Sequence, residues 1–366
     1  MSNLTVQSSS TSLFSRIFPA PGFLRMSAAG IDISDTTVRF IDFKFKDGQR
    51  SIKSYGEKIL PIGTMSSGYI NNREALVKIL SEIKKETKID FANVSLPEEK
   101  AYLFKMQIPK IAGVELYDAV GFHLEENAPI SAKEAVYDFI LLEESKKETA
   151  HYDVMVSVIP SKVSEAYSHV FKAAGIMPLK FEISSQAVSR SVVSPKSKES
   201  YLIVHLGDTK TGLAIVNRGM VFFTSTVPVG SDALNQVISK VFNVPLHSVP
   251  EVKKEIISSG KQDMDLFLKV MDATAPVKDE IMKLVSYWKT HGVNVVHNSS
   301  VIDKIILCGK DTALPAVDEY VFAETGIKTE VANVWRNIIS LDDFIPPIPY
   351  EQSLDFAGAI GLAMLS

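Results

Sequence analysis

The two halves of the chain each begin with the same alternation of apolar and polar positions. In the second half, the apolar run 201–206 stops at Gly207, hydroxyl and charged residues follow, and a second apolar run begins at Leu213. In the first half, the apolar run 29–33 is followed by a polar turn and by the apolar-rich segment 38–45. Each pattern predicts a strand, a tight turn and a second strand.

The two patterns match when they are placed 173 residues apart, which indicates an internal duplication. Four pairs of turn positions then coincide: Asp32 with His205, Ser34 with Gly207, Asp35 with Asp208 and Thr36 with Thr209. A single polar turn is more often an ordinary hairpin. Two matching turns that face each other could hold a polyphosphate from both sides, through backbone N–H groups and hydroxyls such as those of Thr209 and Thr211.

The rest of the pattern predicts an α/β protein with two insertions. Strands and helices alternate after each duplicated unit, which is typical of an α/β layer arrangement. Residues 99–175 predict a compact inserted subdomain, and the polar, helical segment 245–299 predicts a second insertion over the cleft. The apolar run 301–308 leads into Gly309 and a helix, an arrangement that lets backbone N–H groups approach a nucleotide. Residues 354–365 predict a closing helix of small side chains.

Composition excludes several classes of function. A net charge of −4 and a pI of about 6.0 argue against a nucleic-acid-binding surface. The single cysteine, Cys308, excludes an intramolecular disulfide and a cysteine zinc site, and the seven histidines show no metal-ligand spacing. No apolar run approaches the ~20 residues needed to cross a bilayer. Residues 1–25 predict a flexible leader with a short apolar peptide.

These features, in this order and spacing, resemble the superfamily of actin, heat-shock chaperone ATPases and sugar kinases. Within it the sequence is most similar to the PilM family of type IV pilus assembly proteins, relatives of the division protein FtsA. The segments that carry the resemblance, which covers about residues 26–366, are 30–34, 115–130, 173–178, 227–232 and 356–363. The resemblance implies an α/β, actin-like fold: two ribonuclease-H-like domains produced by duplication, with an FtsA-type 1C subdomain inserted.

The resemblance also implies a division of the chain into four subdomains after the leader 1–25. The four are 1A (26–98 with 176–199 and 346–366), 1C (99–175), 2A (200–232 with 300–345) and 2B (233–299). The cleft between the two domains would then hold the nucleotide.

By the same resemblance the cleft would bind ATP with Mg²⁺, and Asp32 would hold the metal beside the phosphates. The phosphates would be bound by residues of both turns: Ser34, Thr36, Gly207, Asp208, Thr209, Lys210 and Thr211. Gly309 and its neighbour Lys310 would lie against the adenosine. Glu280 and Lys283 would lie on a helix near the ribose.

Three features depart from the family pattern. His205 stands where the family usually has an acid, and a neutral imidazole is a poor magnesium ligand. Lys310 replaces the second glycine of the adenosine motif, where its side chain could close on the nucleotide or block it. Asp35 and Asp208 add negative charge beside the phosphates, which opposes binding unless magnesium or Lys210 offsets it. These departures favour nucleotide binding without efficient hydrolysis, so any ATPase activity would be weak and no catalytic residue is assigned.

The resemblance implies a cytoplasmic assembly protein that its partners hold at the inner face of the cell membrane. It would recruit the N-terminal tail of a PilN-like inner-membrane protein, which would dock as an extended peptide near subdomain 1C. Further partners would be other pilus assembly proteins or further copies of the chain. The candidate residues of this groove, which could equally build only the subdomain core, are Leu116, Val120, Leu124 and Ile130.

Two other functions stay open at the level of sequence. An FtsA-like filament protein would need a membrane-binding segment, for which the chain offers only residues 13–24 of the leader. A small-molecule kinase would need a general base in the cleft. Glu182, on a strand that precedes a helix, could reach the cleft as that base, or it could equally be a solvent-facing strand residue.

Overall fold

The computed structural model describes residues 27–46, 49–110, 115–142, 150–259, 264–295, 301–338 and 345–365. The predicted leader 1–25 lies outside these residues. Two five-stranded sheets with helices on their faces form most of the fold, and a three-stranded sheet is inserted into the first half. The chain therefore has the mixed α/β architecture that its sequence predicts.

The strands follow the alternating apolar pattern of the sequence. In chain order they are β1 (Ala29–Ile33), β2 (Thr37–Lys46), β3 (Gln49–Ile59), β4 (Met65–Ser66), β5 (Tyr69–Ile70), β6 (Phe91–Leu96), β7 (Tyr102–Pro109), β8 (Ala135–Leu141), β9 (His151–Pro160), β10 (Met177–Ile183), β11 (Ser200–Leu206), β12 (Thr211–Asn217), β13 (Met220–Val227), β14 (Lys304–Gly309) and β15 (Thr329–Val331). The short strands β4 and β5 pair as a separate hairpin.

The two large sheets have the same topology. The first has the order β3-β2-β1-β6-β10, and the second has the order β13-β12-β11-β14-β15. In each, the first three strands form an antiparallel meander, and the last two are parallel to the first. This repeated strand order confirms the duplication that the sequence indicates.

The two hairpin turns repeat each other in detail as well. In the first, the Ser34 N–H donates a hydrogen bond of 2.9 Å to the Thr37 carbonyl. In the second, 173 residues later, the Gly207 N–H donates a hydrogen bond of 2.9 Å to the Lys210 carbonyl. The alignment of the two patterns in the sequence is therefore also the alignment of the two turns in the structure.

Helices cover both faces of each large sheet. In chain order they are α1 (Arg73–Thr87), α2 (Leu116–Phe122), α3 (Ser161–Ala173), α4 (Ser184–Val192), α5 (Ser231–Phe242), α6 (Val249–Ser259), α7 (Met264–Ala273), α8 (Ala275–Val295), α9 (Val317–Thr325), α10 (Tyr350–Ser353) and α11 (Ala357–Ala363). None of the helices in the described ranges is both long enough and apolar enough to cross a membrane.

Helices α4 and α11 lie between the two large sheets. One cluster of buried side chains combines Ile41 of the first sheet, Val188 of α4, Ile360 of α11 and Ile203 of the second sheet. The small residues of α11 allow this close packing, because a Cβ at Gly361 would overlap the backbone of α4. The predicted closing helix therefore joins the two halves into one core.

Alternate residues of the same strands point to the opposite faces, where the outer helices lie. Ile31 of β1 packs with Leu80 of α1, and Leu202 of β11 packs with Ile281 and Trp288 of α8. The buried positions of α8 recur at helical spacing, which is the pattern of an amphipathic helix on a sheet. A separate cluster joins α5, α6 and α7 beside the second sheet.

The insertion in the first half is a three-stranded antiparallel sheet, with β9 between β7 and β8. Helix α2 covers one face of it. Helix α3, which the sequence pattern includes in the inserted subdomain 99–175, instead packs Tyr167 and Phe171 against Leu76 of α1. This packing favours an insertion that ends near Pro160, and the other subdomain limits stay predictions.

Glu98 belongs to the first half, and its buried carboxyl group contacts the second sheet. It lies in a one-turn 3-10 helix directly after β6, and its side chain packs against Gly212 of β12. Its Oε1 atom is shielded from solvent and has no hydrogen-bond partner among the described residues. Burial, with repulsion from Glu99, raises the pKa of Glu98 to about 8, although Lys210 opposes this rise. The carboxyl group is therefore mostly protonated at neutral pH.

Replacement of Gly361 by alanine should destabilise the junction between the two halves. The added Cβ would overlap the carbonyl group of Ala187, which cannot move without displacing α4. We expect the free energy of unfolding, measured in urea, to fall by about 1–3 kcal/mol. The exposed α5 variant Gln236→Ala is the control and should change it by less than about 0.5 kcal/mol. Wild-type stability of Gly361→Ala would contradict the close packing.

The variant Glu98→Gln should remove a pH dependence of stability. Because the folded state raises the pKa from 4.5 to about 8, the neutral carboxyl stabilises the fold fully below 4.5, and this contribution is lost as the pH rises to 8. Urea denaturation across this window should show wild-type stability falling by a few kcal/mol, since a tenfold difference in proton affinity between the folded and unfolded states is worth about 1.4 kcal/mol. Glu98→Gln should give a flatter curve, whereas the exposed variant Glu134→Gln should keep the wild-type slope. Parallel curves for Glu98→Gln and wild type would contradict the prediction.

Candidate functional site

The tips of the two hairpin turns meet across the cleft between the large sheets. The Thr36 hydroxyl of the first turn donates a hydrogen bond of 2.7 Å to Oδ2 of Asp208 in the second. The Arg39 guanidinium, on β2, lies 3.6 Å from the same oxygen. In the opposite direction, the Lys210 ammonium of the second turn lies 3.6 Å from the Asp35 carboxylate of the first. Reciprocal contacts of opposite charge therefore join the two halves.

Local hydrogen bonds fix the shape of the first turn. The Ser34 hydroxyl accepts a hydrogen bond of 3.3 Å from the backbone N–H of Thr36. The Asp35 carboxylate accepts hydrogen bonds of 3.1 Å from the backbone N–H groups of Ser67 and Gly68, in the hairpin of β4 and β5. Ser34 and Asp35 therefore hold the turn in place, while Thr36 extends its hydroxyl across the cleft.

The second turn is fixed by the N-terminus of α5. The backbone N–H groups of Ser231 and Asp232 donate hydrogen bonds of 2.9 Å to the carbonyls of Gly207 and Asp208, respectively. Gly230 allows this approach, because a Cβ there would overlap the backbone of Asp208. The turn and the start of the helix therefore form one rigid unit beside the cleft.

Strand β14 brings a third element to the same point. It ends at Gly309, whose φ of 89° favours glycine and whose Cα lies close to the His205 ring and the Leu206 backbone. Lys310 follows, and its Nζ atom lies 2.6 Å from Oδ1 of Asp208. Both carboxylate oxygens of Asp208 are therefore engaged, one by the first hairpin turn and the other by Lys310.

Asp208 and Lys310 each stabilise the charged form of the other. Burial opposes the ionised form of Asp208, but Arg39, Lys310 and the Thr36 hydroxyl together hold its pKa below the usual value. Burial also opposes the charge on Lys310, but Asp208 outweighs it and raises the pKa of the ammonium group. Both groups are therefore charged at neutral pH, in surroundings where their attraction is stronger than in water.

Asp32 and His205 occupy equivalent positions of the two units but differ in chemistry. Asp32 is 8% exposed, and its carboxylate packs against Gly358 of α11. Burial lowers the pKa of His205, with a contribution from Arg39 and against the effect of Asp32, so the imidazole is neutral at pH 7. Asp32 can offer one carboxylate to a magnesium ion that also binds phosphates, but His205 adds no negative charge. Within the described ranges, no three His, Cys, Asp or Glu side chains are grouped closely enough to bind a metal.

Two buried charged residues at the site are ones that the sequence pattern did not single out. Arg39 donates a hydrogen bond of 2.5 Å from Nε to Glu57, whereas its Nη2 atom is buried with no hydrogen-bond partner among the described residues. Asp355 lies just before α11, and its Oδ1 atom is also buried with no hydrogen-bond partner among the described residues. Burial raises the pKa of Asp355 to about 7, although Arg39 and Lys310 lower it. A sequence signal for Arg39 exists, because it is an arginine within an apolar strand, paired across from Asp32.

A third such residue is Lys253 of α6, which reaches the turn after Gly309. Its Nζ atom lies 2.6 Å from Oδ2 of Asp311 and 3.2 Å from the Ser231 hydroxyl. It therefore connects the second insertion, the predicted adenosine turn and the start of α5. The sequence contains no signal that separates Lys253 from the other lysines of this polar segment.

Glu280 and Lys283, predicted near the ribose, lie on α8 at the outer face of the second sheet. Glu280 accepts a hydrogen bond of 2.7 Å from the Ser225 hydroxyl of β13. The Lys283 side chain is 73% exposed and pairs with Glu280 at 3.1 Å. No contact within the described residues joins either one to the hairpin turns, so the structure does not bring them to the site.

A cavity of about 660 Å³ opens beside the two turns. Thr36, Thr209 and Lys210 line one side of it, and the loop 60–67 lines the other. Thr211 does not face this space, because its side chain is fully buried and its hydroxyl donates to the Val229 carbonyl, just beyond β13. Of the predicted phosphate ligands, Thr36, Thr209 and Lys210 line the cavity, and Asp208 lies at the contact between the two turns.

The residues predicted to form a peptide groove lie in the core of the insertion. Val120 and Leu124 are fully buried, and Leu116 and Ile130 pack against the same cluster. A side chain without solvent exposure cannot contact a docked peptide unless the core opens. The structure therefore assigns Val120 and Leu124 to the core of the insertion, whereas Leu116 and Ile130 are partly exposed at its margin.

Glu182, the only base considered for a kinase, is held in an ion pair. The Arg190 guanidinium binds both of its carboxylate oxygens, one of them at 2.6 Å, and also donates to the Gly361 carbonyl at 3.0 Å. Arg190 would have to move before either oxygen of Glu182 could accept a proton from a substrate hydroxyl. The kinase hypothesis therefore gains no support from this residue.

The chain is similar to one known family over most of its length and to several solved structures. The family model described as type IV pilus assembly protein PilM matches residues 30–366. A PilM-PilN type IV pilus biogenesis complex is 19% identical with a TM-score of 0.70, and the match covers 93% of this chain and 98% of that one. MreB5 of Spiroplasma citri bound to ADP is 12% identical with a TM-score of 0.54, covering 93% and 96%. MreB5 of the same organism bound to AMPPNP is 14% identical with a TM-score of 0.51, covering 91% and 95%.

At these identities the likeness to the solved structures concerns the fold, and it confirms the actin-like, two-domain architecture predicted from the sequence. The family model covers nearly the whole of the described chain, including both hairpin turns and the inserted sheet. The chain belongs to the PilM family of type IV pilus assembly proteins.

Proposed function

We propose that this chain binds ATP in the cleft between its two domains and recruits the cytoplasmic tail of a PilN-like inner-membrane protein to a type IV pilus machine. The observation that carries the nucleotide part is the convergence of Thr36, Arg39 and Lys310 on one point between the duplicated turns. These are a hydroxyl, a guanidinium and an ammonium group, and together they form a donor set suited to phosphate oxygens.

The surroundings of this point fit a polyphosphate. The N-terminus of α5, a helix of 12 residues, borders the second turn, and its dipole favours negative charge. In this proposal Asp32 would contribute one oxygen to a magnesium ion that neutralises part of the phosphate charge. The adenosine would extend towards Gly309, where α6 closes the site through Lys253 and Asp311. The MreB5 structures, which share this fold, contain ADP and AMPPNP.

We infer that the nucleotide acts chiefly as a structural ligand. Hydrolysis needs a group that orients or activates water beside the terminal phosphate. His205 is buried and neutral at the position equivalent to Asp32, and Glu182 is paired with Arg190. Nucleotide binding would instead add contacts between the two domains and so stabilise one arrangement of the protein that the pilus machine uses.

The surface that best fits an extended tail is the free edge of β8. This strand pairs with β9 on one side, and no other strand in the described part of the chain pairs with its second edge. Val136 and Ile140 on β8 are 49% and 50% exposed, and Phe122 at the end of the adjacent α2 is 79% exposed. A peptide that adds to a sheet edge gains backbone hydrogen bonds and places alternate side chains on such residues. The PilM-PilN complex belongs to the same fold and supports a PilN-like partner.

Calorimetric titration with ATP and Mg²⁺ tests the nucleotide part of the proposal. Wild-type protein should bind, and Arg39→Gln should bind at least about tenfold more weakly, because a charge-assisted contact to phosphate is lost. Thr36→Val, a smaller change, provides a second test should Arg39→Gln fail to fold. Lys283→Ala, a change on the outer face, should leave the affinity unchanged. Absence of binding by the folded wild type would overturn the proposal for the nucleotide.

Fluorescence anisotropy with a labelled N-terminal peptide of the PilN-like protein from the same organism tests the partner. Ile140→Lys should weaken binding by about tenfold or more, because it places a charge on the apolar surface beside the open strand edge. Leu246→Lys changes a residue that is 58% exposed in the second half, and it should bind like the wild type. Equal weakening by both variants, or by neither, would contradict a docking site at β8.

A further inference from the structure

We propose that Asp208 is an internal anion that occupies the phosphate position between the two turns, holds the cleft closed, and is displaced when a polyphosphate binds. This inference rests on the proposed nucleotide function and adds a competition between the Asp208 carboxylate and the phosphates of the ligand. The ligand that competes with Asp208 carries a cluster of phosphate oxygens, as in a nucleoside triphosphate or in inorganic tripolyphosphate.

The contacts of Asp208 come from both halves of the chain. Thr36 and Arg39, in the first half, meet Oδ2 at 2.7 and 3.6 Å, and Lys310, in the second, meets Oδ1 at 2.6 Å. A carboxylate held in this way links the domains without any backbone contact between the turns. The same three donors are the ones that the proposed site offers to phosphate, so both anions cannot use them at once.

The equivalent residue of the first turn shows that this placement is not a general property of the duplicated motif. Asp35 directs its two oxygens to the backbone N–H groups of Ser67 and Gly68 in its own domain. Those contacts fix a neighbouring hairpin and would not change if a ligand entered the cleft. Asp208 depends on side chains, which can rotate towards another anion. Asp35 also lies 3.6 Å from Lys210 across the cleft, but backbone N–H groups of its own domain hold both of its oxygens. The contacts of the Asp208 carboxylate are with side chains alone, so the two equivalent acids differ in how easily a ligand can displace them.

Asp208 does not satisfy all of the hydrogen-bond donors that surround it. The Arg39 side chain is almost fully buried, yet its Nη2 atom makes no hydrogen bond among the described residues and lies beyond hydrogen-bond distance of Asp208. Buried polar groups of this kind are normally paired. A phosphate group presents more oxygens than a carboxylate and could satisfy Arg39, Lys310 and Thr36 together. The geometry therefore favours exchange of Asp208 for a bound phosphate.

Two consequences distinguish this arrangement from a simple open cleft. The turns are tied to each other through Asp208, so the cleft is closed at this point while these contacts hold. When a polyphosphate enters, Asp208 must move away, because two anions that share the donors repel each other. Its carboxylate therefore lowers the apparent affinity, and loss of its charge should raise that affinity.

Calorimetric titration with Mg²⁺ and ATP, and separately with inorganic tripolyphosphate, tests the competition. Asp208→Asn keeps the side-chain shape but removes the charge, and we expect it to bind both ligands about tenfold more tightly than wild type. Asp35→Asn, the matched control at the duplicated position, also removes a charge near the cleft but frees none of the three donors Thr36, Arg39 and Lys310, so it should gain less affinity than Asp208→Asn. Equal gains by the two variants would overturn the inference. Weaker binding by Asp208→Asn would show that the carboxylate serves the ligand or its metal directly and would overturn the inference.

Hydrogen–deuterium exchange without any nucleotide tests the latch independently of binding. Backbone amides of residues 34–37 and 207–211 should exchange several-fold faster in Asp208→Asn and in a second variant, Asp208→Ser, while the circular dichroism spectrum stays that of the wild type. If no variant binds nucleotide but exchange rises, the nucleotide proposal fails and the latch stands. If exchange at both turns stays at the wild-type rate in folded variants, the latch is overturned.

Discussion

The contact between two duplicated hairpin turns is the interaction on which the rest of this structure depends. The Thr36 hydroxyl and the Arg39 guanidinium approach the Asp208 carboxylate from one domain, and Lys310 approaches it from the other. The turns lie at the ends of strands in the two large sheets. Helices α4 and α11 pack closely at Gly361 and so set the distance between the sheets. Helix packing and the charged contact therefore act on the same junction: the helices join the two sheets, and the turns join them again at the cleft.

Much of this arrangement could be predicted from the sequence, because duplication leaves a signal that is independent of any single motif. The 173-residue offset aligned the turns correctly, and the turn hydrogen bonds of Ser34 and Gly207 have the same geometry. The small residues of segment 354–365 indicate a closely packed helix, which the structure shows as α11. These features arise from local backbone requirements, which a sequence records directly.

The remaining features depend on tertiary contacts that no local pattern records. Val120 and Leu124 have the spacing of an apolar helix face, but spacing identifies the buried side and not whether a core or a peptide covers it. The same limit applies to the charged helices of the second half: α8 carries Glu280 and Lys283 on the outer face, whereas Lys253 of α6 reaches the cleft. Only the path of the chain through the second insertion decides between them.

Divergence after duplication made the two sides of the cleft unequal. Arg39 of β2 has Gly212 of β12 as its counterpart, and the space that glycine leaves is filled by Glu98 from the first half. Because burial keeps Glu98 mostly neutral, it adds little charge at the position equivalent to Arg39. The cation that the second half offers to Asp208 comes instead from Lys310, directly after β14. The duplication has therefore kept the backbone of the two turns, while the charges around them have diverged.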